Sequence, residues 1–250
     1  MSTNLLFGTN IEALESTSSD ASSTESGYDT DNLWTASRDL HWMADTAGTS
    51  HYVGYRNAST AVNYFAVCRA DYHILGGTNP KLYMRYSAND ADFSTWGTTD
   101  ILTSANLCGP NSQDYVYYNA TTATAEYWRL YLTDTASVQP EAAGVYFGTA
   151  LDLGRDPDGI DISVVRYGQS NKKARHDISL SYTDISYTLA MQLYNEVVER
   201  ADYHPIVLFT TTNHQVLFNS KMIQVRLIDG PTKQEITGRN NIELTFREVI

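Results

Sequence analysis

Short runs of alternating apolar and polar residues set the character of this chain. In "KLYMRYS" Leu82, Met84 and Tyr86 fall on one side and Tyr83 and Arg85 on the other, because successive side chains of a strand point to opposite faces. "EYWRLYLT" repeats the pattern, with Trp128, Leu130 and Leu132 opposite Tyr127, Arg129 and Tyr131. "VNYFAVCRA", Val62 to Ala70, is nearly continuous apolar, as for a strand covered on both faces. "HILGGTNP" supplies Gly76, Gly77 and Pro80, a turn by chemistry: glycine tolerates positive φ, and proline donates nothing to a ladder. "DYVYYN" is a further strand. From Leu33 to Thr133 strands recur at short intervals with almost no helical period between them, which predicts a β-sandwich.

The pattern changes after a glycine-punctuated crossing, "ASVQPEAAGVYFGTALDLGRDPDGID". "DISVVRY" and "HDISLSYT" read as strands, the second with Ile178, Leu180 and Tyr182 on one side. One helix follows, over residues 184–201. Ile185, Leu189, Leu193 and Val197 recur at i+4 down one face, and Asp184 or Ser186 can cap it. It stops before His204-Pro205, where proline disfavours helix in the preceding residue. "PIVLFTT", "KMIQVRLI" and "NIELTFREV" are three closing strands. The predicted fold is mostly β: an N-terminal arm and polar linker over 1–32, a sandwich over 33–140, and a smaller β-rich domain with one amphipathic helix over 141–250. Within the first segment "NLLFGTNIEAL" has the apolar content to dock as an arm on a neighbour, whereas "STSSDASSTESGYDTDN" is small, polar and acidic.

Composition agrees with β structure. Eighteen tyrosines among 250 residues favour pleated, half-buried surfaces. The formal net charge is −12, from 29 acids against 17 bases, a field that repels phosphate backbones and anionic lipid. Nucleic acid is therefore an unsuitable partner. No apolar run approaches the roughly 18 residues that span a bilayer, which predicts no membrane insertion. Cys68 and Cys108 are too few for a disulfide scaffold; they are free buried thiols, or one bridge if their strands adjoin. The first residues lack the basic start and long apolar stretch of a secretory signal, so synthesis in the cytosol is expected. The sequons at Asn57 and Asn119 are then chance matches.

Candidate chemistry is sparse. "DPDGID", Asp156 to Asp161, opens like a calcium loop but places Ile160 and Tyr167 where that loop needs an oxygen ligand and a bidentate glutamate. A tight acidic turn is the expectation. "SANDADFSTW" clusters Asn89, Asp90 and Asp92 between strands, either as turn residues or as calcium ligands. Asp39 with His41, Asp71 with His73, and His176 with Asp177 are neighbours in sequence, with no nucleophile elbow and no His-x-x-x-His pair. "GGT" lacks the lysine and following helix of a phosphate loop. Among so many acids some pair will stand at glycosidase spacing by accident, and nothing singles one out. The residues thus assign no catalytic centre, no cofactor and no metal. Trp34, Trp42, Trp96 and Trp128 are open to two uses, stacking on sugar rings or sealing a sandwich, and the two leucines beside Trp128 place it in the core.

"DNLWTAS", "NYFAVCRADYHILGG", "KLYMRYSANDADFSTW" and "EYWRLYLT" together resemble the discoidin, or galactose-binding-like, β-sandwich family. Trp34, Ser37, Tyr86, Ser87, Trp96, Trp128 and Arg129 match its pattern, while the terminal disulfide cysteines of secreted members are absent. "DISLSYTDIS", the helix, "PIVLF" and "IELTFREV" are similar to the C-terminal part of tailed-bacteriophage distal tail and minor tail proteins. The order of the two resembles phage tail-tip or baseplate structural proteins. That resemblance implies a non-enzymatic virion protein, made in the host bacterial cytoplasm. It implies a ring of copies linking tail tube to adsorption apparatus, with the tube, hub and fibres as partners. The alternative it leaves is a carbohydrate-binding module recognising host surface polysaccharide, with Trp34 and Trp96 as the carbohydrate-binding residues.

Overall fold

A computed structural model describes residues 5–8, 18–21, 24–28, 30, 42–68, 81–87, 100–104, 115–142, 144–165, 175–201, 205–210 and 222–249. In chain order the strands are β1 (Leu5–Gly8), β2 (Ser18–Ala21), β3 (Trp42–Met43), β4 (Gly48–Cys68), β5 (Lys81–Ser87), β6 (Asp100–Ser104), β7 (Tyr115–Val138), β8 (Glu141–Ala142), β9 (Gly144–Gly148) and β10 (Ala150–Asp152). There follow β11 (Gly159–Val165), β12 (Arg175–Ser186), helix α1 (Tyr187–Leu193), β13 (Ile206–Thr210), β14 (Met222–Asp229) and β15 (Arg239–Glu248). The chain is mostly β, as the alternation predicts. It forms two compact units, Asn10–Thr149 and Met1–Thr9 with Ala150–Ile250. The second of these is discontinuous in sequence.

The Asn10–Thr149 unit is an antiparallel sandwich. One sheet has the order β2-β4-β7-β5-β6, with β9 also paired on β4, and β3 pairs with β8 in a separate two-stranded ladder. Trp42 and Ala142 from that small ladder share a core with Val53, Phe65, Trp128, Leu130, Leu132 and Phe147. The alternating face of "EYWRLYLT" lies as expected, with Trp128, Leu130 and Leu132 inward. Trp128 packs on Tyr86 and Phe147, and its Nε1 donates to the Ala125 carbonyl at 2.9 Å, so the polar end of the indole is satisfied where water cannot reach. Val62 to Val67 is buried at every position, the strand covered on both faces that its composition predicts. Strand β4 is long because register shifts at Arg56/Thr60 and Val62/Tyr64 let it bend with the sheet while staying paired to β7.

The other unit is one seven-stranded antiparallel sheet, ordered β10-β1-β13-β14-β15-β12-β11. The apolar residues Leu5 to Gly8, suited by sequence to an arm on a neighbour, are a fully buried strand of the chain's own sheet, paired with β10 and β13. Leu180, Leu244 and Phe246 of the sheet pack with Ala190, Leu193 and Val197 of the helical segment.

The helix expected from residue 184 begins at Tyr187. Strand β12 stays in its ladder with β15 as far as Ser186, through a bulge between Tyr182 and Ile185. Asp184 sits in that bulge at φ 53°, a left-handed backbone that aspartate tolerates better than most residues, with its N–H donated to Asn241 and its carbonyl accepting from Arg239. Ser186 is therefore the cap, its hydroxyl accepting from Leu189 N–H at 3.3 Å. The helical path continues as one π turn over Tyr194–Val198 and ends at Ala201. Among the described residues no helix is long and apolar enough to cross a membrane.

Tyr182 belongs to this core, and its hydroxyl is buried with no hydrogen-bond partner among the described residues. Burial pushes the phenol well above its ordinary value, and Asp156 adds to the shift. An unmatched buried hydroxyl costs about 1–3 kcal/mol. Tyr182→Phe is accordingly expected to leave stability unchanged or raise it by up to that amount. Urea unfolding of the two proteins checks this, and a clear loss of stability would show that the hydroxyl has a partner.

Candidate functional site

The two tryptophans singled out by sequence, Trp34 and Trp96, lie outside the described residues, as do Ser37, Asn89, Asp90, Asp92, Asp39, His41, Asp71, His73 and Cys108. Tyr86 and Trp128 pack against each other at the core. Cys68 closes β4, opposite Gly144 of β9. His176 and Asp177 diverge, as adjacent strand residues must. His176 Nδ1 meets Glu248 Oε2 at 2.6 Å, and Asp177 takes two 2.8 Å hydrogen bonds from Arg247.

The acidic "DPDGID" segment works as a brace. Asp156 accepts the Leu5 N–H at 2.9 Å, which ties it to β1. Asp158 accepts the N–H and hydroxyl of Thr183 at 2.6 and 2.8 Å and a forked contact from Arg155. The Thr183 N–H, with the other donors, holds the Asp158 carboxyl below its ordinary value. These carboxylates are used in fastening a turn. Among the described residues no group of three histidines, cysteines or acids stands close enough to hold a metal ion.

A different constellation comes together on the sandwich. Strand β7 runs between β4 and β5, with Tyr131 directly across from Tyr52 on one side and Tyr83 on the other. Arg129 stands across from Gly54 and from Arg85. Residues directly opposite in a ladder share a face, so Tyr52, Arg85, Arg129 and Tyr131 project away from the core that Val53, Trp128 and Leu130 enter. The Arg85 Cζ lies 4.1 Å from the centre of the Tyr131 ring. The Arg129 Cζ lies 5.1 Å from Tyr131 and 5.1 Å from Tyr52. The four side chains form a stack in the order Arg85, Tyr131, Arg129, Tyr52.

Each such contact is worth about 0.5–2 kcal/mol, more when water is excluded. Arg129 is only 8% exposed, whereas Arg85, Tyr52 and Tyr131 are half-buried. Stacking uses the face of a guanidinium and leaves its in-plane N–H groups to donate. The arrangement thus holds guanidinium planes and phenol rings rigidly against one another. Alternation already places Arg129 with Tyr131 and Arg85 with Tyr83 on non-core faces. No spacing within either run could have found the stack, because it depends on which strands are neighbours.

No protein-family model matches the chain, and no curated protein sequence matches it. Solved structures do. The chain is similar to chitosan-binding module 1 of a chitosanase/glucanase from Paenibacillus sp. IK-5, at 16% identity and TM-score 0.43, over 55% of this chain and 97% of that one. It is similar to a pectin-binding carbohydrate-binding module at 14% identity and TM-score 0.40, over 54% and 91%. A third likeness is to a Ruminococcus gnavus GH29 fucosidase, at 13% identity and TM-score 0.41, where 54% of this chain spans 25% of that enzyme. A likeness this loose carries neither substrate nor activity across.

Arg247 lowers the Asp177 carboxyl from its ordinary value by hydrogen bonding. A carboxylate depressed in the folded state stabilises it above the unfolded pKa, near 3.9, and that contribution is lost as pH falls through the folded value. Asp177→Asn is expected to be less stable than wild type at pH 7 by about 1 kcal/mol, allowing for solvent at the partly exposed arginine. The difference should shrink towards zero by about pH 2. Urea midpoints across that range are the measurement, and a gap that does not change with pH would remove this pair as the cause.

Proposed function

We propose that the Asn10–Thr149 unit is a non-catalytic glycan-binding module and that the other unit holds it in a larger assembly. The observation that carries this reading is the stack of Arg85, Tyr131, Arg129 and Tyr52 on one face of the sandwich. Sugars offer many hydroxyls and few charges, and they are recognised by fixed, directional donors beside aromatic surface. Phenol rings locked on guanidinium planes give aromatic surface whose orientation is settled before binding, which lowers the ordering cost of association. Trp34 and Trp96 enter the proposal on sequence alone, as further platforms for pyranose faces.

A second reading, a virion structural protein of a phage tail tip or baseplate, is favoured by a separate feature. Among the described residues strand β11 is an edge of its sheet, paired on one side with β12. Its Ile160 and Val164, in register with Leu180 and His176, are 39% and 54% exposed. A sheet edge with an exposed apolar row suits pairing with another subunit. The tail proteins, the ring and the virion location remain a proposal from sequence resemblance, and the two readings are compatible.

Glycan-array binding followed by calorimetry on the best hit tests the first reading. Tyr131→Ala is expected to weaken binding about tenfold or more while the fold survives. No hit on a broad array, or a hit indifferent to Tyr131, Trp34 and Trp96 substitutions, would remove it. For the second, light scattering is expected to give a multimer that the Ile160→Lys, Val164→Lys double variant converts to monomer. A monomeric wild type at high concentration overturns the edge-pairing idea.

A further inference from the structure

We infer that the strand received by β11 is β11 of a second copy, the two joined antiparallel about a two-fold axis at Ile162. This rests on the edge-pairing reading and deepens it by naming the partner and the register.

Length limits the choice of partner. Among the described residues β11 has seven residues, whereas the other ends of the two large sheets, β10, β2 and β6, have three, four and five. None of those matches β11 along its whole length, and another β11 does. The side chains then choose the orientation. Ile160, Ile162 and Val164 alternate with Asp161 and Ser163 and lie in register with Leu180, Ile178 and His176 of β12. Ile162 is half-buried against the core, and Ile160 and Val164 on either side of it are exposed. A two-fold axis normal to the sheet reverses the strand and keeps its faces, so the apolar row of one copy runs on into that of the other. A two-fold axis along the strands would pair them parallel and turn the two rows to opposite faces. The antiparallel pair closes at two copies, and a ring of copies needs a second surface.

Charge selects the register, because residues directly across from each other share a face. Centred on Asp161, the pair sets that acid against itself. Centred on Ser163, it sets Asp161 across from Val165 and leaves Ile160 past the end of the facing strand. Centred on Ile162, it sets Ile160 across from Val164, Ile162 across from itself and Asp161 across from Ser163, each contact made twice. All three apolar residues are then matched, and each acid faces a hydroxyl that can donate to it. In the single copy the Ile162 N–H donates to Asp161 Oδ1 at 3.0 Å. In the pair the Ile162 carbonyl of the second copy takes that N–H, and the Asp161 carboxylate turns to the Ser163 hydroxyl opposite.

Sedimentation equilibrium of the full chain tests this. Wild type is expected as a dimer in exchange with monomer. Ser163→Lys sets a cation against each Asp161, and Ser163→Asp sets an acid there. The first should tighten the dimer and the second loosen it, the two dissociation constants differing by about tenfold and converging as salt is raised. In a pair centred on Ser163 both substitutions would loosen it, each facing its own like charge. Ser163 also stands across from Asp177 within its own copy, so urea unfolding of each variant checks that the fold persists. Ile162→Cys gives a reading that does not depend on charge. Residues directly across a ladder have the spacing a disulfide needs, so mild oxidation is expected to yield a covalent dimer whose bridge maps to position 162 by peptide mass spectrometry. A multimer that Ile160→Lys, Val164→Lys breaks up, but that ignores both Ser163 variants and forms no bridge at 162, overturns the two-fold pair and leaves the edge reading standing. A wild type that stays monomeric at high concentration overturns both.

Discussion

The antiparallel pairing of β4 with β7 governs which side chains the sandwich places on each face. Side chains in a ladder alternate with a period of two, so a slip of one residue would carry Trp128, Leu130 and Leu132 outward and drive Arg129 into the core. Burying those three large side chains favours this register by roughly several kcal/mol of free energy. The stack of arginines and tyrosines on the opposite face is a consequence of that register and needs no separate fastening. The hydrophobic effect on one side of the sheet thereby sets polar geometry on the other.

The same economy is visible in the discontinuous unit. Its acidic turn spends two carboxylates on Leu5, Thr183 and Arg155, which fixes the approach to β11 and ties it to β1. The bulge at Tyr182 and Ile185 lets β12 stay in its ladder until the moment the helix begins, so that Ile185 remains buried although it belongs to the strand. Sequence spacing joined Ile185 to the helical stripe because a bulged strand and a helix can place one residue on the same core face.

What could be read in the residues was local. Alternation identified the faces of β5 and β7, continuous apolarity identified Val62 to Val67, and the choice between Asp184 and Ser186 as cap was already confined to the right pair. What could not be read was pairing across distance. Nothing in "YMRY" or "WRLY" announces that β5 and β7 are neighbours with Arg85 opposite Arg129, because a single strand reveals which way a side chain points and not what stands beside it. Leu5 to Gly8 misled for the same reason. Four buried-type residues near a chain end look the same whether they fill a sheet of their own chain or another's.

The rung that joins Gly8 to Ala150 has a consequence for biosynthesis. Everything from Asn10 to Thr149 leaves the ribosome after β1 and before any strand that β1 pairs with. Strand β1 must therefore wait, an orphan apolar segment, while the intervening sandwich condenses. Once that insert is compact, the loop to be closed is a folded body and no longer a floppy chain, which cuts the entropic penalty of bringing Gly8 to Ala150. A lesion that slows the sandwich would then prolong the exposure of Leu5, Leu6 and Phe7 and provoke aggregation through a unit it does not touch.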